Sequence, residues 1–522
     1  MSAKAIRRVP VVIVGAGPTG ITAATLLAQH GVDSLLLDRW HGVYPQPRAV
    51  HLDDEIYRVI ARLGIAEEFA AISRPTLGLR LLDARFRVLA EFTRDISRSR
   101  NGFPQANMFD QPELEALLRA NLKRCPHAQL RGDAEVTDVT DVTDTGTYVR
   151  ITFTDRTDGT VHRVDADYLL GCDGANSMVR ARMGSAIKDL NFKQRWLVVD
   201  VATDADLQQW EGVHQVCDPV RAGTYMRIGA SRYRWEFQLL AGECADDFAT
   251  LTALRPLIRP WTADVRDREL TLLRVTEYTF RAQIAERWRR GNIFILGDAA
   301  HLTPPFIGQG MGAGMRDAMN LAWKIAGVHH GALAPDVLDT YEQERKPHTR
   351  HMIRLALNVG RAMTGGARVG NVVRRVVLPR LRLIPGLRDK VIDSTTPALP
   401  SSGLVCTSRR PRQLAGTLCP NPQLGDGRRL DDVLGTGLAL ITTRGLGVAD
   451  EAALGQRGIA VLVTEPGDAL AQWLRGGRAT AALIRPDRTV MRAGRDVSAL
   501  CAWASSVVAG RFGQALTPAG RR

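Results

Sequence analysis

Three aspartates occupy positions at which their carboxylates could bind the hydroxyl groups of one extended ligand. Asp38, Asp173 and Asp298 each follow a short apolar segment, and these segments predict buried β-strands. Open α/β sheets bind ligands beyond the carboxyl ends of their strands. Because the three acids are far apart in the chain, we expect the fold to bring them to one edge of a sheet, where each serves a different part of the ligand.

Asp38 completes a dinucleotide-binding pattern. The segment Val9–Val14 predicts a strand, Gly15, Gly17 and Gly20 form a GxGxxG sequence, and a predicted helix and second strand lead to Asp38. The first glycine makes the turn, the second lets the backbone approach a pyrophosphate, and the third lets helix and strand pack closely. Asp38 lies 18 residues after the last glycine, near the position of an acid that binds a ribose diol. The pattern predicts a bound adenine dinucleotide but does not say which one.

A second glycine-rich segment follows the strand predicted over Ile293–Leu296. Backbone N–H groups at the start of the next helix, predicted over Met315–Ala326, can point at an electron-rich ligand. The alternative is an ordinary strand–loop–helix connection, whose glycines only permit tight turns. The glycines between strand and helix are Gly297, Gly308, Gly310, Gly312 and Gly314.

Composition places the chain among globular proteins with several domains. The 522 residues are 45% hydrophobic and 24% charged, and this length suggests about three domains. No apolar segment is long enough for a transmembrane helix, and the apolar residues after Arg7 and Arg8 lack a signal cleavage pattern. The seven cysteines contain no CxxC, so we expect no disulfide framework, no metal site and a cytoplasmic location.

Much of the net charge of +14 lies in residues 345–390, which hold two lysines and ten arginines. A solvated helix face is the first interpretation, and an anionic partner such as a cofactor phosphate or an acidic substrate is the second. Contact of residues 372–384 with a membrane surface ranks third, because Pro379 and Pro385 interrupt any long amphipathic helix. Nucleic acid is disfavoured, because no aromatic residues are interleaved with the basic ones.

Four regions differ in their patterns. Residues 1–183 and 291–396 predict two parts of one Rossmann-like nucleotide-binding domain. Residues 184–290 are rich in tryptophan and alternate apolar with polar residues, which predicts an inserted, mostly antiparallel sheet that encloses a substrate, with a contribution from residues 76–100. Large side chains are also needed simply to pack such a sheet. Residues 397–522 predict a separate α/β unit after a linker.

The motifs together resemble the single-component FAD-dependent aromatic hydroxylases, a group of flavoprotein monooxygenases. The resemblance spans the chain and is carried by GAGPTG at 15–20, CDGANSMVR at 172–180 and GDAAHLTPPFIGQGMGAGMRDAMNLAWK at 297–324. Within the family, residues 47–55, 232–243 and 429–435 are most similar to the 3-(3-hydroxyphenyl)propionate hydroxylases. The C-terminal unit resembles the thioredoxin-like domain of phenol-hydroxylase relatives. It lacks CxxC, so we expect it to serve packing or oligomer contacts, with a homodimer as a possible assembly.

The resemblance implies a role for individual residues. The loop from Gly15 to Gly20, with Pro18 and Thr19, would hold the FAD pyrophosphate, and Asp38 with Arg39 the adenosine ribose. The family usually has Glu at the position of Asp38, and the shorter acid can make the same contact. The Pro305 carbonyl would face the substrate. The remaining residues implied to bind FAD are Arg48, Gln111, Asp173, Gly174, Gly297, Asp298, Gly308, Gln309, Gly310, Met311, Gly312 and Asn320.

The resemblance also implies the reaction. NADH or NADPH would reduce the flavin, O₂ would form a C4a-hydroperoxide, and a phenolic ring would take up its distal oxygen, with the protein supplying orientation and exclusion of water. The expected substrate is 3-(3-hydroxyphenyl)propionate or a related phenolic acid from aromatic catabolism. Tyr225, Arg227 and His214 are candidates for activating the phenol. His301 is more simply interpreted as a structural histidine beside Asp298.

Other functions stay open at this point. A monooxygenase for a larger polyketide or antibiotic shares the three motifs and the C-terminal unit. A two-component halogenase is disfavoured, because the WxWxIP sequence of those enzymes is not found. A flavin-binding regulator without catalytic activity would oxidise NAD(P)H slowly, and no aromatic compound would accelerate it.

Overall fold

The computed structural model describes residues 7–44, 49–97, 99–142, 148–364, 396–407 and 413–508. Arg48 and the basic residues 365–395 lie outside the described residues, so the predictions made for them stay predictions. The described helices are α1 (Pro18–Gln29), α2 (Asp54–Arg62), α3 (Ala66–Ile72), α4 (Gln111–Leu122), α5 (Met178–Arg182), α6 (Leu251–Thr262), α7 (Gly310–His329), α8 (Thr340–Thr364), α9 (Leu430–Leu434), α10 (Val448–Gln456), α11 (Ala469–Gly476) and α12 (Val497–Val507).

The first sheet has the order β17-β18-β11-β1-β2-β8, and β10 and β9 extend it from β11. Its central strands run parallel to one another. The apolar residues of α1 and α7 join those of β1, β2, β11 and β18 in one core. The strands are β1 (Arg7–Val14), β2 (Ser34–Leu37), β8 (Ala128–Arg131), β9 (Ala134–Val142), β10 (Tyr148–Asp155), β11 (Val161–Gly171), β17 (Arg289–Arg290) and β18 (Ile293–Ile295).

A small sheet of β3 (His51–Asp53), β7 (Ala106–Phe109) and β4 (Ser73–Pro75) joins the first domain to a second large sheet. That sheet has the order β19-β16-β12-β15-β14-β13-β5-β6 and is antiparallel except between β13 and β5. Its β5 and β6 come from residues 78–93, and the others lie mainly between β11 and β18 in sequence. They are β5 (Gly78–Leu82), β6 (Val88–Thr93), β12 (Ile187–Ala202), β13 (Val213–Val216), β14 (Gly223–Arg227), β15 (Arg232–Gln238), β16 (Thr271–Ala285) and β19 (His301–Leu302).

The C-terminal unit follows the order β20-α10-β21-α11-β22-β23-α12 around a mixed sheet. Two buried ionic contacts attach it to the first domain. Arg58 of α2 binds Asp431 of α9 at 2.6 Å, and Arg485 after β22 binds Glu344 of α8 at 2.9 Å. The strands are β20 (Ala439–Thr442), β21 (Ala460–Val463), β22 (Ala481–Ile484) and β23 (Val490–Gly494). Separating the two units would leave these buried charges without their partners, so the ion pairs favour the observed contact.

Several expected features of composition can be compared with the described residues. All seven cysteines are free thiols. Within the described ranges, no cluster of histidine, cysteine and acidic side chains could hold a metal ion, and no helix has the length and apolar character needed to cross a membrane. Arg345, expected on a solvated helix face, is instead buried and bonded to Asp317 at 2.8 Å, so that interpretation is wrong for this residue.

Candidate active site

The three acid-tipped strands end at one edge of the first sheet. Val14 of β1 is in register with Leu37 of β2 and with Gly171 of β11, and Gly171 is in register with Ile295 of β18. The predicted acids follow these positions by one, two and three residues. Parallel strands therefore deliver all three to the carboxyl edge, where open α/β sheets bind their ligands.

The glycine loop between β1 and α1 is held in place by Asp38. One carboxylate oxygen of Asp38 accepts the Ala16 N–H at 2.6 Å, and the other accepts the Trp40 N–H at 2.8 Å. Gly15 has a φ of +99°, and a Cβ there would overlap the Cys172 carbonyl, so the turn requires glycine. Arg39, next to Asp38, is exposed with its guanidinium over the Trp40 ring.

The start of α1 is open to a ligand. Pro18 occupies its first turn, and among the described residues no side chain caps the helix start. A Cβ added to Gly17 would meet no described atom within 4 Å, whereas one on Gly20 would overlap the Gly15 carbonyl. Uncapped N–H groups facing open space are what a helix start presents to a phosphate. The loop therefore fits a pyrophosphate beside Gly17.

Asp173, after β11, supports the next turn. Its two oxygens accept the Ser177 hydroxyl at 2.5 Å and the Val179 N–H at 3.1 Å. Burial raises the pKa of Asp173, although these hydrogen bonds oppose the shift. Gly174 follows with a φ of +81° and open space where a Cβ would lie. This acid thus orders the loop that closes one end of the sheet edge.

Asp298 lies in a single 3₁₀ turn, Gly297–Ala299, directly after β18. This turn packs closely against α1 and α7. A Cβ on Gly297 would lie 2.8 Å from Thr19 Oγ1, and a Cβ on Gly314 of α7 would overlap the same oxygen. These glycines bring α1 and α7 together, so that the starts of both helices border the edge where the acids lie.

The second glycine-rich segment, which was predicted to be a loop, is partly helical. Helix α7 begins at Gly310 rather than Met315, so Met311 and Gly312 form its first turn, and in the described part of the chain no side chain caps it. Glycines fit here because a Cβ on Gly312 would press on Ile56, 2.9 Å away. The helix start therefore itself supplies N–H groups for an electron-rich ligand.

Pro305 begins a 3₁₀ turn, Pro305–Ile307, just before that helix. The turn ends at Gly308, whose φ is +62° and whose Cβ would lie 2.7 Å from His51 Nδ1. Its Phe306 ring lies 6.3 Å from the ring of Trp196 on β12, measured between centroids. The turn thus contacts the second sheet on the face that the sheet turns towards the first domain.

A buried ionic network fixes the start of α7 against α2. Arg316 binds Asp53 at 2.6 Å and Glu55 at 2.9 Å, and it donates to the Gln309 side chain at 2.8 Å. Gln309 in turn donates to Asp53 at 2.8 Å. Burial raises the pKa of Asp53, but the Arg316 charge and the hydrogen bonds from Ile56 and Gln309 outweigh this and keep it below its usual value.

Several predicted site residues lie elsewhere. Asn320 is ten residues into α7, about 15 Å along the helix from its start, and donates to Glu344 at 2.7 Å. It supports the contact with the C-terminal unit, so its assignment to the cofactor is withdrawn. His301 is buried and binds Asp317 at 2.7 Å, in keeping with the structural role expected of it. Gln111 does begin α4, as expected, and its oxygen accepts the Ala49 N–H at 2.6 Å.

The three candidates for phenol activation lie on the outer face of the second sheet. Tyr225 packs among aromatic rings against Trp261 of α6, and Trp261 donates to His214 at 3.1 Å. Arg227, two residues after Tyr225, is on the same side and binds Glu211 at 2.9 Å. The fold does not bring them to the start of α7. They lie on the face of the sheet that α6 covers, and their assignment to catalysis is withdrawn.

Sequence reasoning missed the polar residues on the inner face of the same sheet. Asp200 of β12 binds Arg234 at 2.6 Å and Arg274 at 3.3 Å, and all three lie between the sheet and the first domain. It also missed Asp317, which accepts the Gly297 N–H at 3.0 Å and binds His301 and Arg345. The available signal was strand alternation, which separates Arg234 from Tyr233 and Trp235.

Comparison with known proteins gives the family. A model of the FAD binding domain matches residues 8–356. A 3-(3-hydroxy-phenyl)propionate/3-hydroxycinnamic acid hydroxylase of Burkholderia vietnamiensis (strain G4 / LMG 22486) is 36% identical over 84% of this chain and 80% of its own. A probable NADH-specific resorcinol 4-hydroxylase of Rhodococcus jostii (strain RHA1) is 31% identical over 96% and 95%. The chain belongs to this family of FAD-dependent aromatic hydroxylases.

The fold agrees with that of a solved structure. A ternary complex of aklavinone-11 hydroxylase with FAD and aklavinone superposes with a TM-score of 0.78, at 24% identity, over 97% of this chain and 99% of that one. In the family to which the present chain belongs, FAD supplies the redox chemistry. The observed cradle fits it: we place the pyrophosphate at Gly17, the ribityl chain near Asp298 and the electron-rich ring edge at the N–H groups after Gly310. These assignments are interpretations of the geometry above.

Proposed function

We propose that this hydroxylase uses NADH or NADPH and O₂ to hydroxylate a small phenolic acid, such as 3-(3-hydroxyphenyl)propionate. The observation that carries the proposal is the inner face of the second sheet. Arg234 and Arg274 both contact the Asp200 carboxylate, so two guanidinium groups lie on this face. Guanidinium groups attract an anion, and a substrate carboxylate would lie beside them.

Apolar contacts border that face on two sides. On one side Met226 and Ile228 pack with Val50 and Met108 of the first domain. On the other, Trp196 meets Phe306 edge to face. The polar part of the sheet lies between these two apolar contacts, which exclude water from a reactive centre. The names of relatives that act on 3-(3-hydroxyphenyl)propionate and on resorcinol, both single-ring phenols, support a substrate with one aromatic ring.

The chain's own residues would act by position and charge. The starts of α1 and α7 would orient the cofactor, because their N–H groups favour negative charge. The 3₁₀ turn at Pro305 would hold the phenol against the cofactor ring. NADH is favoured over NADPH as the reductant, since the resorcinol relative is named NADH-specific.

The test is steady-state oxidation of NADH and NADPH with quantified product. The panel should contain 3-(3-hydroxyphenyl)propionate, 3-hydroxycinnamate, resorcinol and a polycyclic phenol. We expect the phenolic acids to give the highest kcat/KM with a hydroxylated product in step with NADH consumed. Preference for the polycyclic phenol would favour the larger-substrate alternative, and equal activity with resorcinol would remove the role assigned to Arg234 and Arg274.

A further inference from the structure

The side chain of Glu236 points to the inner face of the second sheet. Its neighbours along β15, Trp235 and Phe237, belong to the outer core under α6. Successive side chains of a strand point to opposite faces, so Arg234 and Glu236 face inward. Arg234 is indeed bonded to Asp200 between sheet and first domain.

The position of Glu236 within that face is set by the strand register. It lies opposite Thr224 on β14 and opposite Val198 on β12. Two residues after Thr224 on β14 is Met226, which packs with Met108 of the first domain. Two residues before Val198 on β12, in the opposite direction across the sheet, is Trp196, whose ring lies beside Phe306. Glu236 is therefore between the two contacts that enclose the proposed substrate region.

Glu236 makes no hydrogen bond or ion pair within the described part of the chain, although it is only partly exposed. Its polar neighbours are already engaged, because Arg234 binds Asp200 at 2.6 Å and the Thr224 hydroxyl donates to Gln215 at 3.0 Å. Burial raises the pKa of Glu236, with Arg234 opposing and Asp200 reinforcing the shift. An interior carboxyl without a partner is costly unless a ligand provides one.

We infer that Glu236 is the catalytic base that binds the phenolic hydroxyl of the substrate. The inference rests on the proposed function and names the residue that activates its substrate. The carboxylate accepts the hydrogen bond from the phenol O–H. As oxygen transfer begins, that O–H bond breaks, the proton passes to a Glu236 oxygen, and its electron pair stays on the phenolic oxygen, which enriches the ring. When the hydroxylated carbon loses its hydrogen as a proton to water, the C–H electron pair restores the aromatic ring, and Glu236 returns its own proton to the phenolic oxygen.

A raised pKa suits this role, because a general base is most effective when its pKa lies near the pH at which the enzyme works. The charged groups acting on Glu236 are Arg234, Arg274 and Asp200 of the sheet. From the first domain, Asp110 faces the same side and is paired with Arg232. Burial also raises the pKa of Asp110, so the part of the acidic limb that E236Q removes is the part that belongs to Glu236.

The test compares E236Q with E277Q in the full-length, FAD-loaded enzyme. Glu277 is on β16 of the same sheet and binds Arg195 at 2.6 Å on the outer side, so its substitution is a matched control. We expect kcat for E236Q to fall about 100-fold with little change in KM, in keeping with loss of a general base. Its pH profile should lose the limb that rises through the Glu236 pKa. E236D should keep that limb with a lower kcat.

A second readout needs no turnover. The ultraviolet difference spectrum should show that bound phenol ionises at a higher pH in the wild type than in E236Q, because the Glu236 carboxylate accepts the phenol O–H and repels a phenolate. The same kcat, pH profile and phenolate spectrum in E236Q and E277Q would overturn the assignment. If the wild type itself forms no hydroxylated phenol, the proposed function fails instead, and these two failures are distinguished by the wild-type product alone.

Discussion

Arg316 offers a quantitative test of how the start of α7 is held at the site. The substitution R316M removes a buried guanidinium bonded to Asp53, Glu55 and Gln309 and leaves two carboxylates without their cation. Removing one partner of a buried ion pair costs about 3–5 kcal/mol, because the remaining charge is uncompensated. The free energy of unfolding of the first domain should fall by about that amount.

FAD binding should weaken with it. Gln309 precedes α7 directly and would lose its bond from Arg316, so the N–H groups of the first turn would no longer be fixed. We expect at least a tenfold rise in the Kd for FAD, or about 1.4 kcal/mol. Urea unfolding followed by tryptophan fluorescence measures the first effect, and quenching of flavin fluorescence on titration of the apoprotein measures the second.

The control is R354M, since Arg354 is exposed on α8. In the double variant R316M/D53N part of the stability should return, because an uncharged amide removes one uncompensated carboxylate. If R316M matched R354M in both unfolding and FAD affinity, the network would not position α7 and the reasoning would be refuted.

Three other variants test the cofactor cradle and the contact with the C-terminal unit. G17A should leave the stability of the apoprotein unchanged, since no described atom lies within 4 Å of its Cβ, and it should weaken FAD binding. The control is G447A, at the open start of α10. Equal FAD affinity in the two variants would contradict the placement of the pyrophosphate. D298A should lose FAD during gel filtration, and a flavin-to-protein ratio equal to that of the wild type would count against the site. E344Q should flatten the acid side of the curve of unfolding free energy against pH. Burial raises the pKa of Glu344, but Arg485 and Lys324 outweigh this and lower it to about 2. The stabilisation by Glu344 is therefore present above its unfolded pKa of 4.5 and is lost as the pH falls towards 2. This amounts to roughly 3 kcal/mol, and acid unfolding curves of the two proteins that coincide would exclude it.

Local signals predicted the cofactor edge well. A strand, a GxGxxG turn, a helix and a terminal acid are close together in sequence, and each has a local physical cause in Gly15, Gly17 or Asp38. The meeting of β1, β11 and β18 could be predicted because parallel strands present their carboxyl ends together. The start of α7 was placed too late, since glycines in a helix are disfavoured by propensity and are retained here by close packing on Ile56 and Thr19.

The substrate side could not be predicted in the same way. Which face of an inserted sheet points inward depends on the position of α6, and alternation alone gives two equivalent choices. Tyr225 and His214 were therefore assigned to the wrong face for catalysis, while Arg234 and Glu236 were overlooked. Asn320 and Arg345 were misplaced for a related reason, because their partners Glu344 and Asp317 lie more than 20 residues away in sequence.

Oxygen incorporation tests the account most directly. The FAD-loaded enzyme should be supplied with NADH, 3-(3-hydroxyphenyl)propionate and isotopically labelled O₂, and the product should be examined by mass spectrometry. We predict one labelled oxygen atom on the ring for each NADH consumed. NADH consumption that yields only hydrogen peroxide with every phenol tested, or a product whose new oxygen comes from water, would contradict the account.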